Sequence, residues 1–522
     1  MEFMNAIKNT LNDEISVTEN GAVGYRTTGK ELLDLNFAVA SLRSMTDEEV
    51  ARRFKKAFCE DNVLAMKWLF YARDVRQGLG ERRLFRVVLA DLVKSNPEMV
   101  IPVINFIPEF GRYDDLWCLL DNEESAKAVY QIVDAQLKLD YHNYLEGNPI
   151  SLLAKWMPSC NASSPKTKAY GKQLRKGLGM TEKEYRTILS RLRKRLGVVE
   201  VGMSGKKWSE IKYEAVPSRA NLIYNKAFLR NDEDRRREYL GKLERGETKI
   251  NASTLFPHDI VNKYTNGYGL KPRDATIEAL WKALPDTVNG CGNTIVVADG
   301  SGSMRCNVDP KSSVTALDVA NALAIYFAEH SSGQFKDKYI TFSERPQLVD
   351  FSNCKTLHAK LQTARYFNEV ANTNIEAVFD LILTTAVNNH MTQEDLPANV
   401  LIISDMEFDD CATSGEYSAP VRSGIWGYYS RRQVKPTQRL FDVIAQKYTA
   451  AGYKMPRLVF WNVNSRTGTI PVKENDLGVA LVSGFSTNIA KMVMSGKTDP
   501  FECLLETLNS ERYAPIEIVL KG

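Results

Sequence analysis

The chain has 522 residues, of which 44% are hydrophobic and 25% are charged, and its formal net charge is +4. These values are those of an ordinary globular protein and exclude collagen, coiled coil and extensive disorder. No apolar run approaches the ~20 residues that cross a bilayer, and the N-terminus lacks the order of a signal peptide. The eight cysteines contain no CxxC pair. We therefore expect a reduced, cytoplasmic protein without structural zinc or membrane contact.

Helical periodicity dominates residues 30–285. Apolar side chains recur at three- and four-residue spacing within 50–58, 63–69 and 84–92, and Asp61 is placed to cap the second of these segments. Short amphipathic helices separated by brief turns are typical of an α-solenoid. The sequence therefore predicts a HEAT-like α-solenoid domain over residues 30–285, although we find no strict repeat period.

The pattern changes at the breaker-rich segment 284–292. Apolar, β-branched runs then alternate with helical stretches such as Ala316–Phe327 and Ile375–Ile382. The predicted strands are Thr294–Ala298, Lys338–Phe342, Val400–Ile403, Arg457–Trp461 and Val479–Val482. Strands that alternate with helices predict a mainly parallel, doubly wound sheet. The expected fold class is thus α plus α/β, with an α/β domain over residues 290–522.

Oxygen-bearing side chains follow the first strand of this second domain. Asp299, Ser301 and Ser303 lie where a parallel sheet forms its ligand crevice, Thr373 precedes a helix, and Asp405 ends a later strand. Carboxylate and hydroxyl oxygens suit Mg²⁺, which prefers hard ligands. The alternative interpretation is a strand-to-helix turn that binds no ion. The acids that follow Asp405, within 406–410, are expected to be solvated.

The order Asp-x-Ser-x-Ser, then Thr, then Asp resembles the metal-ion-dependent adhesion site of von Willebrand factor A domains. The resemblance implies a von Willebrand A-type fold for residues 290–522. It also implies that Mg²⁺ or Mn²⁺ is held with an open position for the carboxylate of a protein partner. The implied ligands are Asp299, Ser301, Ser303, Thr373 and Asp405.

Enzyme motifs are not found around the same residues. The sequence has no G-x-S-x-G at Ser301 or Ser303 and no Walker A string, and its five histidines are scattered. We therefore expect no enzymatic activity. A metal-dependent nuclease or phosphatase is a weaker alternative, because no general base is visible.

Positive charge is concentrated in residues 155–207. This segment has fourteen Lys or Arg and three Asp or Glu, a net charge of +11, so the rest of the chain carries −7. A capping box of Thr181 and Glu184 predicts a helix that ends before Gly197, and residues 159–171 are interpreted as a loop. The predicted RNA-binding side chains are Lys166, Lys168, Lys172, Arg175, Lys176, Arg186, Arg193, Lys194, Arg195, Lys206 and Lys207.

Such a surface attracts phosphates through counterion release. Trp156, Tyr170, Trp208 and Tyr213 are candidates for stacking on unpaired bases. The alternative is a solvated helix face above core aromatics. We favour polyanion binding for the whole segment, and a structural role for any one residue taken alone.

Three stretches of the helical half resemble the TROVE-type helical domain. They are residues 70–82 (FYARDVRQGLGER), 107–116 (IPEFGRYDDL) and 153–158 (LAKWMP). TROVE followed by a von Willebrand A domain is the architecture of the Ro autoantigen family, and a related TROVE-like family has the same layout. The resemblance implies a ring-shaped solenoid and a ribonucleoprotein that binds single-stranded or small noncoding RNA for RNA quality control. The charged side chains of these stretches are themselves expected to form ion pairs and helix caps.

The main hypothesis is therefore a non-enzymatic, Ro-like RNA-binding protein, with a basic helical scaffold and a metal-ion-dependent adhesion site. The alternative hypothesis is a metal-dependent protein-interaction scaffold without a specific RNA function.

Overall fold

The computed structural model describes residues 15–18, 23–266, 269–288, 293–367, 373–407, 418–423, 428–433, 437–471, 479–490 and 499–522. The chain forms two compact units. Unit 1 comprises Met1–Thr46, Phe256–Arg273 and Leu284–Thr507, and unit 2 comprises Asp47–Leu255, Asp274–Ala283 and Leu508–Gly522. The sequence predicts two contiguous domains, whereas both of these units are assembled from three segments each.

The strands in the described residues are β1 (Ile15–Val17), β2 (Val23–Tyr25), β3 (Thr265–Asn266), β4 (Gly269–Leu270), β5 (Thr294–Asp299), β6 (Lys338–Phe342), β7 (Leu348–Asp350), β8 (Asn399–Ser404), β9 (Ser418–Ser423), β10 (Tyr428–Gln433), β11 (Arg457–Asn462) and β12 (Val479–Ser483). Three pairs, β1–β2, β3–β4 and β9–β10, are two-stranded antiparallel ribbons.

The described helices are α1 (Glu31–Phe37), α2 (Asp47–Glu60), α3 (Asn62–Arg73), α4 (Arg82–Ser95), α5 (Pro97–Val100), α6 (Ile107–Phe110), α7 (Glu123–Leu145), α8 (Leu153–Trp156), α9 (Pro165–Gly177), α10 (Glu182–Arg195), α11 (Val199–Ser204), α12 (Ser218–Asn231), α13 (Glu233–Glu244), α14 (Pro257–Tyr264), α15 (Ala275–Lys282), α16 (Ala316–His330), α17 (Leu357–Tyr366), α18 (Ile375–Asn388), α19 (Thr437–Ala450), α20 (Pro500–Leu508) and α21 (Ala514–Lys521). None of these helices is both long and apolar enough to cross a membrane.

A six-stranded mixed sheet forms the centre of unit 1, in the order β12–β11–β8–β5–β6–β7. Five strands are mutually parallel, and the edge strand β7 runs antiparallel to β6. The residues of β5, β8, β11 and β12 are almost all buried, as expected for parallel strands that are covered on both faces. The five predicted strands and the α plus α/β class are confirmed. The short edge strand β7 was not predicted.

The strand order of this sheet reverses next to β5. The chain proceeds from β5 to β6 and β7 on one side, and then returns to the other side of β5 as β8. Helix α16 packs on β5, β6 and β8. Ligands of open α/β sheets bind outside the carboxyl ends of the strands at such a reversal. The fold therefore places a crevice where β5 and β8 end.

Unit 2 is helical, and its helices pack mainly on neighbours in sequence. Helices α2, α3 and α4 contact one another, α7 contacts α8, α9 and α10, and α12, α13 and α15 form a third group. The predicted capping box starts α10: the backbone N–H of Glu184 donates to Oγ1 of Thr181 at 3.3 Å. Gly197 has φ of 60° directly after the end of α10, as predicted.

Unit 2 also includes the helix α21, although it lies far from α3 in sequence. α21 packs on α3, where the almost fully buried ammonium of Lys67 donates to Glu517 at 2.7 Å. Asp74, at the end of α3, accepts hydrogen bonds from the guanidinium of Arg512 at 2.5 and 3.1 Å and from the hydroxyl of Tyr513 at 3.2 Å. Residues 508–522 are therefore attached to unit 2 by buried polar contacts.

Candidate functional site

Two carboxylates lie at the carboxyl ends of neighbouring strands in unit 1. Asp299 is the last residue of β5, Asp405 directly follows β8, and each is 1% exposed. Oγ of Ser404 donates to Oδ2 of Asp299 at 2.6 Å, and the backbone N–H of Ser301 donates to Oδ1 at 2.9 Å. The reversal of strand order therefore brings the two predicted carboxylates together.

Two of the three predicted hydroxyl ligands, Ser301 and Ser303, lie beside these carboxylates. The hydroxyl oxygens of Ser301 and Ser303 are 2.9 Å apart, and Ser303 is hydrogen-bonded to the side chain of Asp405. Thr373 is 2% exposed and precedes Asn374, whose side chain caps α18. The structure thus joins four of the five predicted ligands through direct interactions and places the fifth in a buried position at a helix start.

The turn after β8 has an unusual backbone. Met406 has φ of 62°, in the left-handed region that residues other than glycine rarely adopt. Its N–H donates to Oγ of Ser404 at 3.0 Å, and its side chain is buried. Such a conformation costs on the order of 1–3 kcal/mol and persists only where its surroundings fix it. The turn therefore holds Asp405 in a defined orientation.

Glu407 is buried, so the prediction of a solvated acid is wrong for this residue. Its carboxylate accepts hydrogen bonds from the backbone N–H groups of Arg466 and Thr467 at 2.7 and 2.9 Å. Arg466 and Thr467 lie far from Glu407 in the sequence, so the residues around Glu407 do not predict its burial. Glu407 thereby positions Arg466, whose guanidinium lies 3.5 Å from Asp405. The acids Asp409 and Asp410 lie outside the described residues.

The electrostatics of the cluster favour a cation. Burial, and secondly the charge of Asp299, raise the pKa of Asp405 to about 7, although Ser303 and Arg466 act in the opposite direction. The two carboxylates and the hydroxyls of Ser301 and Ser303 form a hard-oxygen set that fits Mg²⁺ or Mn²⁺. No group of three or more His, Cys, Asp or Glu able to hold a metal occurs in the described residues, and this cluster contains only two carboxylates.

The raised pKa gives a pH-dependent prediction for Asp405→Asn. In metal-free protein the folded state keeps a proton that the unfolded state releases near pH 4, so this group's contribution to stability is lost as pH rises through about 7. We expect the variant to unfold about 3–6 °C above wild type at pH 8 in EDTA, and at nearly the wild-type temperature at pH 5. Calorimetry measures both values. Asp350→Asn is the matched control, because a hydrogen bond from Ser352 lowers the pKa of this exposed carboxyl. The prediction is contradicted if the unfolding temperatures of variant and wild type differ by the same amount at pH 8 and at pH 5.

Nine of the eleven predicted RNA-binding residues lie on two consecutive helices of unit 2, α9 and α10, and Lys206 and Lys207 follow α11. Lys166, Lys168 and Tyr170 belong to α9, so the predicted loop over 159–171 is wrong from Pro165 onward. Ser164 caps this helix and Pro165 occupies its first turn, a start signal that the charge of the segment obscured. Helix α9 therefore carries Lys166, Lys168, Lys172 and Lys176, which are all exposed.

Most cations of α9, α10 and the turn that follows are exposed. Within the described part of the chain, Lys207 forms an ion pair with Glu210 at 2.8 Å, between two exposed side chains. The other exposed cations have no carboxylate at ion-pair distance among the residues that the structure describes; they are Lys166, Lys168, Lys172, Lys176, Lys183, Arg186, Arg191, Lys194, Arg195 and Lys206. On α10 the helical period places most of them opposite the buried Tyr185 and Leu189.

Three guanidinium groups of the predicted surface bond to the protein itself. Arg193 is half-buried and donates to two backbone carbonyls of 154–159 at 2.8 and 2.6 Å, and to Oγ of Ser159 at 3.0 Å. Burial lowers the pKa of Arg193. Arg175 and Arg195 also donate to backbone carbonyls. These three side chains therefore stabilise local structure.

The aromatic candidates differ in their exposure. Tyr213 is buried with Phe228 in a hydrophobic core, and Trp208 packs against this core, so neither is placed to stack on a base. The core also encloses Arg236, whose guanidinium lies 5.0 Å from the ring centroid of Tyr213. Trp156 is half-buried and remains a candidate, as does Tyr170.

A pair of aromatics near the basic helices was missed from the sequence. The rings of Tyr141 and Tyr144, near the end of α7, have centroids 6.1 Å apart and an interplanar angle of 27°. Arg191 of α10 donates to the hydroxyl of Tyr141 at 3.2 Å. The sequence could have predicted this pair, because residues three positions apart lie on the same face of a helix. They extend the basic face of α10 with stacking surface.

Arg73, Arg112, Asp114 and Asp115 form ion pairs as the sequence predicts, whereas Arg82 forms none in the described residues. Asp115 is fully buried and accepts from Arg73 at 2.8 Å and from Arg86 at 2.6 Å. Asp114 pairs with Arg86 at 2.8 Å and with Arg112 at 3.1 Å. We call these five side chains the Asp115 network. It joins α3 and α4 to the segment after α6.

Two family models match the chain. The one described as "Domain of unknown function (DUF7788)" matches residues 293–513, and the one described as "Domain of unknown function (DUF2828)" matches residues 18–110 and 166–293. The chain is also 28% identical over 544 residues to "Uncharacterized protein L728" of Acanthamoeba polyphaga mimivirus, covering 97% of this chain and 89% of the relative. These descriptions name no ligand, so functional proposals depend on the geometry above.

Proposed function

We propose that the chain is a non-enzymatic RNA-binding protein similar to the Ro family, and that α9 and α10 hold the phosphates of single-stranded or small noncoding RNA. The observation that carries the proposal is the set of exposed cations on these helices that have no carboxylate partner in the described residues. Neutralisation of phosphates releases counterions and supplies sequence-independent affinity. The half-buried pair Tyr141 and Tyr144 adds surface on which unpaired bases stack.

Two features support the finer assignment to a TROVE-like solenoid with a von Willebrand A-type domain. The helices of unit 2 pack mainly on sequence neighbours, as helices of a solenoid do. The order of the sheet in unit 1 reverses between the strands that carry Asp299 and Asp405, where a ligand crevice is expected. A role in RNA quality control follows from the resemblance and is part of the proposal.

The proposal is tested by titrating wild-type protein into a fluorescent single-stranded RNA of 20 nucleotides between 50 and 200 mM salt. Each neutralised phosphate contributes about −0.7 to the slope of log K against log salt, so five contacts give a slope near −3.5. A peptide nucleic acid of the same sequence, which lacks phosphates, is the control and should bind at least tenfold more weakly. Affinity that does not change with salt would contradict the proposal. Sequencing of the nucleic acid that copurifies with untreated protein would then identify the RNA.

A second candidate function is supported by the oxygen cluster of unit 1. We propose that Asp299, Ser301, Ser303, Thr373 and Asp405 hold Mg²⁺ or Mn²⁺, and that the ion binds a carboxylate of a protein partner. The buried pair of carboxylates, one with a pKa raised to about 7, is the observation that favours this role. The ion would supply a Lewis-acidic coordination position, while the protein orients the ligands through Ser404 and the turn at Met406.

Metal binding is tested by thermal unfolding with 5 mM MgCl₂ or MnCl₂ against EDTA. Because protons and metal compete for Asp405, the metal should raise the unfolding temperature of unit 1 at pH 8 and have much less effect at pH 5. Asp405→Asn should remove the response to metal. An equal response of the variant and the wild type would place the bound metal elsewhere.

A further inference from the structure

An arginine from a distant part of the sequence reaches the oxygen cluster of unit 1. Arg466 follows β11, the strand that pairs with β8, and Nη2 of its guanidinium lies 3.5 Å from Oδ2 of Asp405. Nη1 of the same group donates to Sγ of Cys306 at 3.2 Å. Cys306 directly follows the short 3₁₀-helix Ser303–Arg305. The guanidinium therefore bridges the two segments of the chain that carry Asp405 and the serine ligands.

Two buried side chains fix the backbone at Arg466. Oδ1 of Asn462, the last residue of β11, accepts from two backbone N–H groups of the following loop at 3.0 and 2.8 Å. Glu407 accepts from the N–H of Arg466 itself at 2.7 Å. Asn462 and Glu407 are each 1% exposed, and buried polar groups are costly to leave without hydrogen bonds. These bonds hold the loop in place, so the fold determines where Arg466 begins.

The guanidinium supplies positive charge to a buried acid. The side chain of Asp405 is 2% exposed, whereas that of Arg466 is 31% exposed and meets both the carboxylate and solvent. Asp299 places a second buried carboxylate in the same cluster. Buried carboxylates that lack a compensating cation are strongly destabilising. In protein without a bound metal, Arg466 therefore compensates part of this negative charge.

A divalent ion and this guanidinium compete for one carboxylate. Repulsion between two cations on the same acid is strong, because the low dielectric of a buried site screens it weakly. An ion that binds Asp405 either displaces the guanidinium or retains the repulsion. Both outcomes lower the affinity of the site for the ion.

We propose that Arg466 is a built-in competitor of the metal, which neutralises Asp405 in the metal-free protein and is displaced from it when Mg²⁺ or Mn²⁺ binds. The inference rests on the proposed metal-binding function and adds a regulation of the same site. The competition sets the metal concentration at which the site fills.

Binding of Mn²⁺ to the full chain at pH 8, measured by electron paramagnetic resonance of the free ion, tests the inference. We expect Arg466→Gln to bind Mn²⁺ about tenfold more tightly than wild type, because the repelling charge is gone. Arg466→Met keeps the unbranched stem and should give the same gain, which guards against a folding defect of one variant. In EDTA both variants should unfold about 2–4 °C below wild type, because Asp405 has lost its counterion. A residue with a structural role alone would lower stability and affinity together.

Two controls locate the effect. Lys454→Gln removes an exposed cation that precedes β11, and this six-residue strand, about 20 Å long, separates it from the end of the sheet that carries Asp405. This variant should bind Mn²⁺ as wild type does. Adding Asp405→Asn to Arg466→Gln should abolish the tight binding, because the ion then lacks the carboxylate for which the guanidinium competes.

The results separate this inference from the proposed metal binding. If wild type binds Mn²⁺ through Asp405, and Arg466→Gln binds it equally or more weakly, the competition is refuted while the metal site stands. If Arg466→Gln binds Mn²⁺ and wild type does not, the inference holds, but the guanidinium replaces the metal in the native chain and the proposed metal function fails. If neither binds at millimolar Mn²⁺, both are refuted.

Discussion

Replacement of Lys183, Arg186 and Lys194 by Gln is expected to weaken binding of single-stranded RNA about 100-fold at 0.1 M salt. All three side chains are exposed on one face of α10 and have no ion pair or hydrogen bond within the described residues. Each lost phosphate contact removes about 0.7 from the salt slope, so the slope should become shallower by about 2. Fluorescence anisotropy between 50 and 200 mM salt measures both quantities. Arg193 is left unchanged because its bonds to residues 154–159 would confuse loss of charge with loss of structure.

The control for this variant changes the same number of charges elsewhere in unit 2. Lys226, Arg230 and Arg237 are exposed on α12 and α13, and their replacement by Gln should weaken binding only a few-fold. Equal losses in the two triple variants would show that net charge, and not the surface of α10, determines affinity. Circular dichroism of both variants establishes that the helices are retained.

Asp115→Asn is expected to reduce the free energy of unfolding of unit 2 by about 3–5 kcal/mol. Asp115 is fully buried and accepts hydrogen bonds from Arg73 and Arg86, and Arg73 is itself 1% exposed. The amide retains an acceptor but not the charge, so a buried guanidinium loses its counterion. Chemical denaturation followed by far-ultraviolet circular dichroism measures the change. The backbone at Gly111 allows this close packing, since a Cβ there would lie 2.5 Å from Oδ2 of Asp115.

Glu123→Gln is the matched control for that substitution. Glu123 pairs with Lys127 at 2.8 Å on the exposed face of α7, where solvent screens the ion pair and leaves it little effect on stability. A loss in Asp115→Asn no larger than the loss in this control would show that the Asp115 network is not needed for stability.

The strands and helices were predictable where the signal is local. The strands of the sheet in unit 1 are continuous apolar runs, and α10 carries both its capping box and its terminal glycine. Long-range pairing was not predictable in the same way. Strand β7 has three residues at an edge, and α21 joins unit 2 through contacts with residues more than 400 positions earlier in the sequence. A local sequence pattern does not show which residue will be contacted several hundred positions away.

The candidate metal site was largely predictable because its ligands follow strands whose order can be inferred. The positions of Asp299 and Asp405 at strand ends required only the alternation of strands and helices. The roles of Glu407 and Arg193 were not predictable, because each depends on a backbone segment that tertiary folding supplies. In the basic segment, most of the cations that the net charge singled out are exposed, but net charge did not separate exposed lysines from arginines that bond to carbonyl groups.

The return of residues 508–522 to unit 2 has a consequence for biosynthesis. A ribosome completes residues 47–255 and then requires about 10–50 s to make the roughly 250 residues that precede 508. During this interval α3 exposes the surface that α21 later covers, and the ammonium of Lys67 has not yet met Glu517. Nascent chains are therefore expected to engage chaperones at this surface until α21 has left the ribosome.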